Sequence, residues 1–100
     1  ADLRIVKEMP AAIIDEDATA IVSQAIRETF GEAGLTAAKS TPGSEDFFHY
    51  LRLRPAVKGG FWGLGCNLQP GLHHPEMHFD RAALADGVRV FKSCVRQLLG

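Results

Sequence analysis

Two stretches of the chain place apolar residues at every third or fourth position, which is the spacing of one face of an α-helix. In residues 15–30 these positions are Ala18, Ile21, Val22, Ala25, Ile26 and Phe30. In residues 80–98 they are Leu84, Val88, Phe91, Cys94 or Val95, and Leu98. An aspartate precedes each stretch, at Asp15 and Asp80, where a carboxylate can cap free N–H groups. The spacing predicts two long amphipathic helices.

Three shorter apolar segments, residues 3–7, 35–39 and 61–66, have the composition of β-strands. The third carries glycine at alternate positions, so one face of the strand has no side chains and can be approached closely. A short helix is predicted between the second and third strands, because Ser44 is a candidate N-cap and Pro55 prevents continuation.

The predicted order is strand, helix, strand, helix, strand, helix, which indicates a small three-layer-type piece of the α/β class. Three short strands make a sheet too narrow to cover two long amphipathic helices. We therefore expect apolar edges and faces to stay open, as in part of a larger domain or in a chain that associates. A homo-oligomer is the expected state.

Composition mainly excludes classes of partner. Hydrophobic residues make up 46% and charged residues 23% of the chain, which is ordinary for a globular protein. A net charge of -1 predicts no nucleic-acid partner, and the apolar runs are too short to cross a membrane. There is no secretion signal, and Cys66 and Cys94 lack zinc or redox spacing, so we expect reduced thiols in a cytoplasmic protein.

The loop before the last helix concentrates residues that could bind a metal. Three of the four histidines lie here, at His73, His74 and His78, together with Glu76. Imidazole and carboxylate groups are ligands of zinc and manganese. However, no H-E-x-x-H pattern is present, and Pro75 keeps His73 and Glu76 from sharing a regular helical turn. Metal ligation and solvated loop histidines both remain open on spacing alone.

The turn at residues 43–47 is the second candidate. Spacing alone favours a plain helix start, and the alternative is a set of free N–H groups that could hold a substrate carboxylate. Ser44 has no nucleophile-elbow motif around it, and Cys66 has no recognisable signature of a cysteine nucleophile. The residues therefore do not supply a complete catalytic site.

Several segments together resemble one enzyme family. The stretch G-S-E-D-F-F-H-Y-L at residues 43–51 resembles a segment of the metal-dependent amidohydrolases related to hippurate hydrolase and aminoacylase. The stretch G-L-H-H-P-E-M-H-F-D at residues 71–80 resembles the closing segment of the same family. The resemblance implies that residues 1–14 are a lid-domain remnant and return linker, and that residues 15–100 are the C-terminal part of the catalytic α/β domain.

The resemblance also implies roles for individual residues. His73 would be one ligand of a two-metal centre of zinc, manganese, nickel or cobalt, while His74, Glu76 and His78 would lie outside the metal's coordination sphere. Gly43, Ser44, Glu45 and Gly65 would line the substrate side, with Cys66 at the pocket wall. The family's other metal ligands and its glutamate base have no counterpart among these residues. We therefore expect no catalytic residue in this chain, and no tightly bound metal.

The leading hypothesis is a C-terminal fragment of a metal-dependent hydrolase that cleaves amide bonds of N-acyl amino acids or small peptides, inactive alone. The alternative is a non-catalytic module for self-association or partner binding. A third hypothesis is a small autonomous metal-binding domain that uses His73, Glu76 and His78. In the leading hypothesis the strand at residues 3–7 has lost its neighbours, so it should be disordered, exchanged with another copy or paired at an edge.

Overall fold

The computed structural model describes residues 1–100 and contains three α-helices. Helix α1 spans Glu16–Phe30, α2 spans Phe47–Leu53 and α3 spans Ala83–Leu99, with a single turn of 3-10 helix at Glu32–Gly34. There is no β-strand. The β-type pairing is one isolated antiparallel bridge between Gln69 and His78. The two long helices are confirmed, whereas the predicted α/β class and its β-α-β-α-β-α order are wrong.

The three predicted strands fail for a common reason, which is the lack of a second segment to pair with. A strand becomes part of a sheet only when a neighbour about 4.8 Å away exchanges backbone hydrogen bonds with it. Residues 61–68 still alternate between exposed and half-buried positions, the period of an extended chain, but no second extended segment exchanges backbone hydrogen bonds with them. Leu3, Ile5 and Val6 are largely exposed, so residues 3–7 do not pack into the core of this chain.

Helix α1 begins and ends where its sequence supplies caps. The carboxylate of Asp15 accepts a hydrogen bond from the backbone N–H of Ala18 at 2.8 Å, and acidic Glu16 and Asp17 occupy the first turn. Gly31 ends the helix with a φ of 74°, a conformation that favours glycine, and its N–H donates to the carbonyl of Arg27.

The main core lies between α1 and α3. Ala25 of α1 and Val90 of α3 are completely buried, and Ala83 is buried as well, while Gly87 is buried beneath Leu64 of the extended segment. Ala25 and Val90 are small, so the two helices approach closely along this line. The pairing of α1 with α3 is the helix–helix contact of the fold.

Polar side chains also join the two helices. The Ser93 hydroxyl donates to the carboxylate of Glu28 at 2.5 Å, and the Gln97 amide donates to the carbonyl of Ile21 at 3.3 Å. The guanidinium of Arg89 lies 5.6 Å from the centre of the Phe30 ring, within the range of a cation–π contact. These contacts fix the axial position of α3 along α1.

A smaller apolar cluster surrounds α2. Phe48 and Leu51 are buried, and the ring of Phe61 lies 5.5 Å and 5.6 Å from the rings of Phe47 and Phe48. The helix begins at Phe47 after Asp46, with no side-chain cap, so the predicted cap at Ser44 is wrong. Ser44 lies two residues before the N-cap position at Asp46, so its hydroxyl is not in the position from which a side chain caps the helix.

After α2 the chain crosses α1 at two glycines, Gly59 and Gly60. A Cβ atom on Gly60 would lie 2.9 Å from a methyl group of Val22 and 3.1 Å from the carbonyl oxygen of Ala18. Only a residue without a side chain allows this approach. The ion pair between Lys58 and Asp17 holds the same crossing, and it lowers the pKa of Asp17.

The apolar stripe predicted for α3 faces solvent rather than the core. Its members are between 51% and 65% exposed, and we refer to them as the α3 stripe: Leu84, Val88, Phe91, Val95 and Leu98. The opposite, smaller-residue face packs on α1. The predicted open apolar face is therefore present, and it lies on α3.

We expect Val90→Ala to lower the free energy of unfolding by about 2 kcal/mol, because Val90 is completely buried between the two helices. Val57→Ala is the matched control, since Val57 is 54% exposed. Urea titration followed by circular dichroism measures both changes. Equal effects of the two substitutions would contradict the assignment of the core.

The free energy of unfolding should also depend on whether the carboxyl group of Glu28 is ionised. Hydrogen bonds from Ser93 and then from Gln24 lower the pKa of Glu28, so its stabilising contribution is present at neutral pH. That contribution is lost as the pH falls through the lowered pKa. Ser93→Ala should raise the pKa of Glu28 toward its usual value in a carbon-detected NMR titration. Ser23→Ala, which removes a hydroxyl from the same helix as Glu28, should leave it unchanged.

Candidate functional site

The candidate site is the loop of residues 69–80. Hydrogen bonds between backbone groups close this loop. The N–H of Gln69 donates to the carbonyl of His78 at 2.9 Å, and the N–H of His78 donates back to Gln69 at 2.8 Å. A further hydrogen bond lies next to this pair, where the N–H of Asp80 donates to the carbonyl of Cys66 at 2.8 Å. The loop is thereby fastened to the extended segment on one side and to α3 on the other.

Asp80 also shapes the entry into α3. Its carboxylate accepts a hydrogen bond from the N–H of Ala82 at 2.9 Å, and the helix begins at Ala83. The predicted cap residue thus accepts one free N–H just ahead of the helix. Because Asp80 is hydrogen-bonded to both Cys66 and Ala82, it determines the direction in which the chain passes from the loop into α3.

Two of the three loop histidines help to hold the loop in shape. The Nδ1 atom of His74 accepts a hydrogen bond from the N–H of Glu76 at 3.1 Å. The Nδ1 atom of His78 lies 3.2 Å from the carbonyl oxygen of Glu76 and can donate to it. Each of these imidazoles therefore has one ring nitrogen engaged inside the loop.

His73 differs from both. Its ring makes no hydrogen bond within the chain and is exposed, so both ring nitrogens are open to an external group. Its backbone has a φ of 65°, in the left-handed region that non-glycine residues seldom adopt. Such a conformation costs on the order of 1 kcal/mol and is concentrated at functional sites. Geometry thus distinguishes His73 from its neighbours.

Asn67 lies two residues before the loop and was not singled out from the sequence. It also has a left-handed backbone, with a φ of 50°. Asparagine adopts this conformation more readily than most residues, so its position directly after the apolar segment was the available signal. Asn67 ends the extended segment and turns the chain into the loop.

The residues present do not form a complete metal centre. No three His, Cys, Asp or Glu side chains are grouped so that they could hold a metal ion. The combination of His73, Glu76 and His78 is therefore not assembled. Catalytic metal sites use about three protein ligands, so this chain does not complete such a site by itself.

The predicted substrate-side residues are only partly connected to the loop. Gly65 immediately precedes Cys66, whose carbonyl holds Asp80, and a Cβ atom on Gly65 would meet nothing within 4 Å. Gly43, Ser44 and Glu45 lie exposed in the irregular segment before α2. No hydrogen bond or ion pair joins that segment to the loop.

The two cysteines are free and half-buried, as expected from the sequence. Burial raises the pKa of the Cys94 thiol, which disfavours the nucleophilic thiolate. No helix is both long enough and apolar enough to cross a membrane.

Comparison with known proteins identifies the class to which this loop and chain belong. The model of the peptidase family M20/M25/M40 matches residues 1–97, so the chain belongs to this family of hydrolases. The resemblance found in the sequence is confirmed. Members of the family are generally metal-dependent peptidases, which agrees with the expected chemistry at a coarse level.

One curated relative is a protein of Rhodococcus jostii (strain RHA1) that carries the provisional name glutamate–cysteine ligase 2-3. It is 31% identical over 97 residues, which cover 95% of this chain but 12% of the relative. The chain thus spans about an eighth of that protein, whose name refers to a far longer polypeptide. No solved structure matches the chain.

Proposed function

We propose that this chain supplies one metal ligand, His73, and part of the substrate-binding surface of a metal-dependent amidohydrolase. The substrates would be N-acyl amino acids or small peptides, and the metal would be zinc, manganese, nickel or cobalt. In this proposal residues 15–100 belong to the catalytic domain and residues 1–14 to the lid and its return linker. The chain alone does not hydrolyse amides.

The observation that carries the proposal is the state of the His73 imidazole. It is exposed at a left-handed position in a loop that is closed by the Gln69–His78 pair, and it is the loop histidine whose two ring nitrogens are both open. A neutral imidazole nitrogen is a common metal ligand. Family membership makes a metal the expected partner for it.

The 43–45 turn supports the substrate side of the proposal. The backbone N–H groups of Gly43, Ser44 and Glu45 donate to no acceptor within the chain. They are therefore free to bind the carbonyl or carboxylate oxygen of a peptide-like substrate. Gly65 contributes an open position without a side chain, which leaves room for a substrate group beside the extended segment.

Metal binding can be tested on the isolated chain by NMR, with Mn²⁺ as the paramagnetic probe. We expect the ring protons of His73 to broaden at lower Mn²⁺ concentration than those of His74 and His78, because its nitrogens are not engaged. His73→Ala should abolish the selective broadening, and His74→Ala should preserve it. Broadening centred on His78 that survives His73→Ala would overturn the assignment.

Catalysis is tested in the polypeptide expressed from the native gene, with N-benzoylglycine as substrate and zinc or manganese added. We expect His73→Ala to reduce kcat/KM at least about 100-fold, since loss of a direct ligand exceeds the 10- to 100-fold effect of outer-shell changes. His74→Ala should reduce it less than His73→Ala does, because the His74 ring holds the shape of the loop and does not bind the metal in this proposal. Similar losses in the two variants would contradict the proposed division of roles, and hydrolysis by the isolated chain would contradict its expected inactivity.

A further inference from the structure

Two consecutive β-turns shape the loop of residues 69–80, and His74 belongs to both. The N–H of His74 donates to the carbonyl of Gly71 at 3.2 Å, which closes the turn at residues 71–74. The carbonyl of His74 accepts from the N–H of Met77 at 3.0 Å, which closes the turn at residues 74–77. His74 is therefore the last residue of the first turn and the first residue of the second.

The first turn places His73 at its third position. His73 has a positive φ of 65°, whereas Leu72 before it does not, and this is the arrangement of a type II turn. That position normally favours glycine, because most side chains are strained there. The direction of the His73 imidazole thus depends on how firmly the turn is held closed.

The second turn is stabilised by a side chain as well as by its backbone. Pro75 lies at its second position, where the fixed φ of proline is favoured. The Nδ1 atom of His74 accepts a hydrogen bond from the N–H of Glu76 at 3.1 Å, and this N–H has no other acceptor in the chain. The ring thus makes the contact to the second residue along the chain that an asparagine side chain makes in an Asx-turn.

A second imidazole holds the backbone of Glu76 from its other side. The Nδ1 atom of His78 lies 3.2 Å from the carbonyl oxygen of Glu76, and the backbone of His78 pairs with that of Gln69. A continuous series of hydrogen bonds therefore runs from the His74 ring to the base of the loop. Every bond in this series lies within residues 69–78, so the arrangement does not depend on any segment outside the loop.

We propose that His74 is a positioning residue for the metal ligand His73, and that it acts by accepting the Glu76 N–H rather than by binding the metal. This inference rests on the proposed function, because His74 has this role only if His73 binds a metal. Without the acceptor, the second turn loses its side-chain hydrogen bond, and the residue shared by both turns is held less firmly. Metal binding must then order the His73 turn again, which lowers the affinity.

Substitutions at position 74 separate a hydrogen-bond acceptor from a metal ligand. Asparagine and leucine side chains have the same shape, but only asparagine supplies an oxygen that can accept the Glu76 N–H. We expect His74→Asn to bind Mn²⁺ within about twofold of the unmodified chain, and His74→Leu to raise the Mn²⁺ dissociation constant about fivefold, the effect of one net hydrogen bond. The concentration at which Mn²⁺ broadens the His73 ring protons in the full chain measures each constant.

His74→Gln is the matched control for the amide group itself. Its oxygen could bind Mn²⁺ as readily as that of asparagine, but it lies one bond further from the backbone and so does not form the Asx-turn contact. This variant should therefore behave like His74→Leu.

Amide hydrogen exchange tests the hydrogen bond without any metal. Exchange of the Glu76 amide should be about threefold faster in His74→Leu than in the unmodified chain, and His74→Asn should restore the slower rate. The amides of Gln69 and His78 should exchange at the same rate in every variant, because each donates to the carbonyl of the other residue.

Equal Mn²⁺ dissociation constants in His74→Asn and His74→Leu would overturn the proposal, because the acceptor would then have no effect on His73. Faster exchange at Gln69 and His78 in His74→Leu would also overturn it, since the ring would then hold the whole loop closed and not the His73 turn. Absence of selective His73 broadening in the unmodified chain would instead overturn the proposed function, and with it any role of His74 in metal binding.

Discussion

The close contact of α1 with α3 is the constraint on which the other parts of this structure depend. Ala25 and Val90 are completely buried where the two helices meet, and the Ser93–Glu28 hydrogen bond fixes their axial position. The start of α3 in turn fixes Asp80, which holds the base of the histidine loop. A change in the helix contact would therefore reach the loop through a short, continuous series of bonded and packed groups.

The sequence predicted which segments are helical but not which side of each helix is covered. Spacing identified Leu84, Val88 and Phe91 as one face of α3, whereas the face that packs on α1 consists of smaller residues. Burial depends on which partner is available, and spacing carries no information about that. The strands failed for a related reason, because residues 61–66 are extended but a sheet needs a second segment.

The site was predictable to a similar extent. The motif residues drew attention to the loop and to the 43–45 turn, and family membership was correctly inferred from them. The difference between His73 and His74 could not be read from spacing, since it lies in ring hydrogen bonds and one backbone angle. Nor could spacing show that three ligands fail to converge, because convergence depends on side-chain directions in three dimensions.

The Gln69–His78 pair has a consequence for how the loop meets a ligand. It joins residues only nine positions apart, so the loss of chain entropy on closing the loop is small. The loop can thus acquire its shape during folding, before any ion or substrate arrives. Binding then needs little further ordering of the backbone, which leaves more of the interaction free energy for affinity.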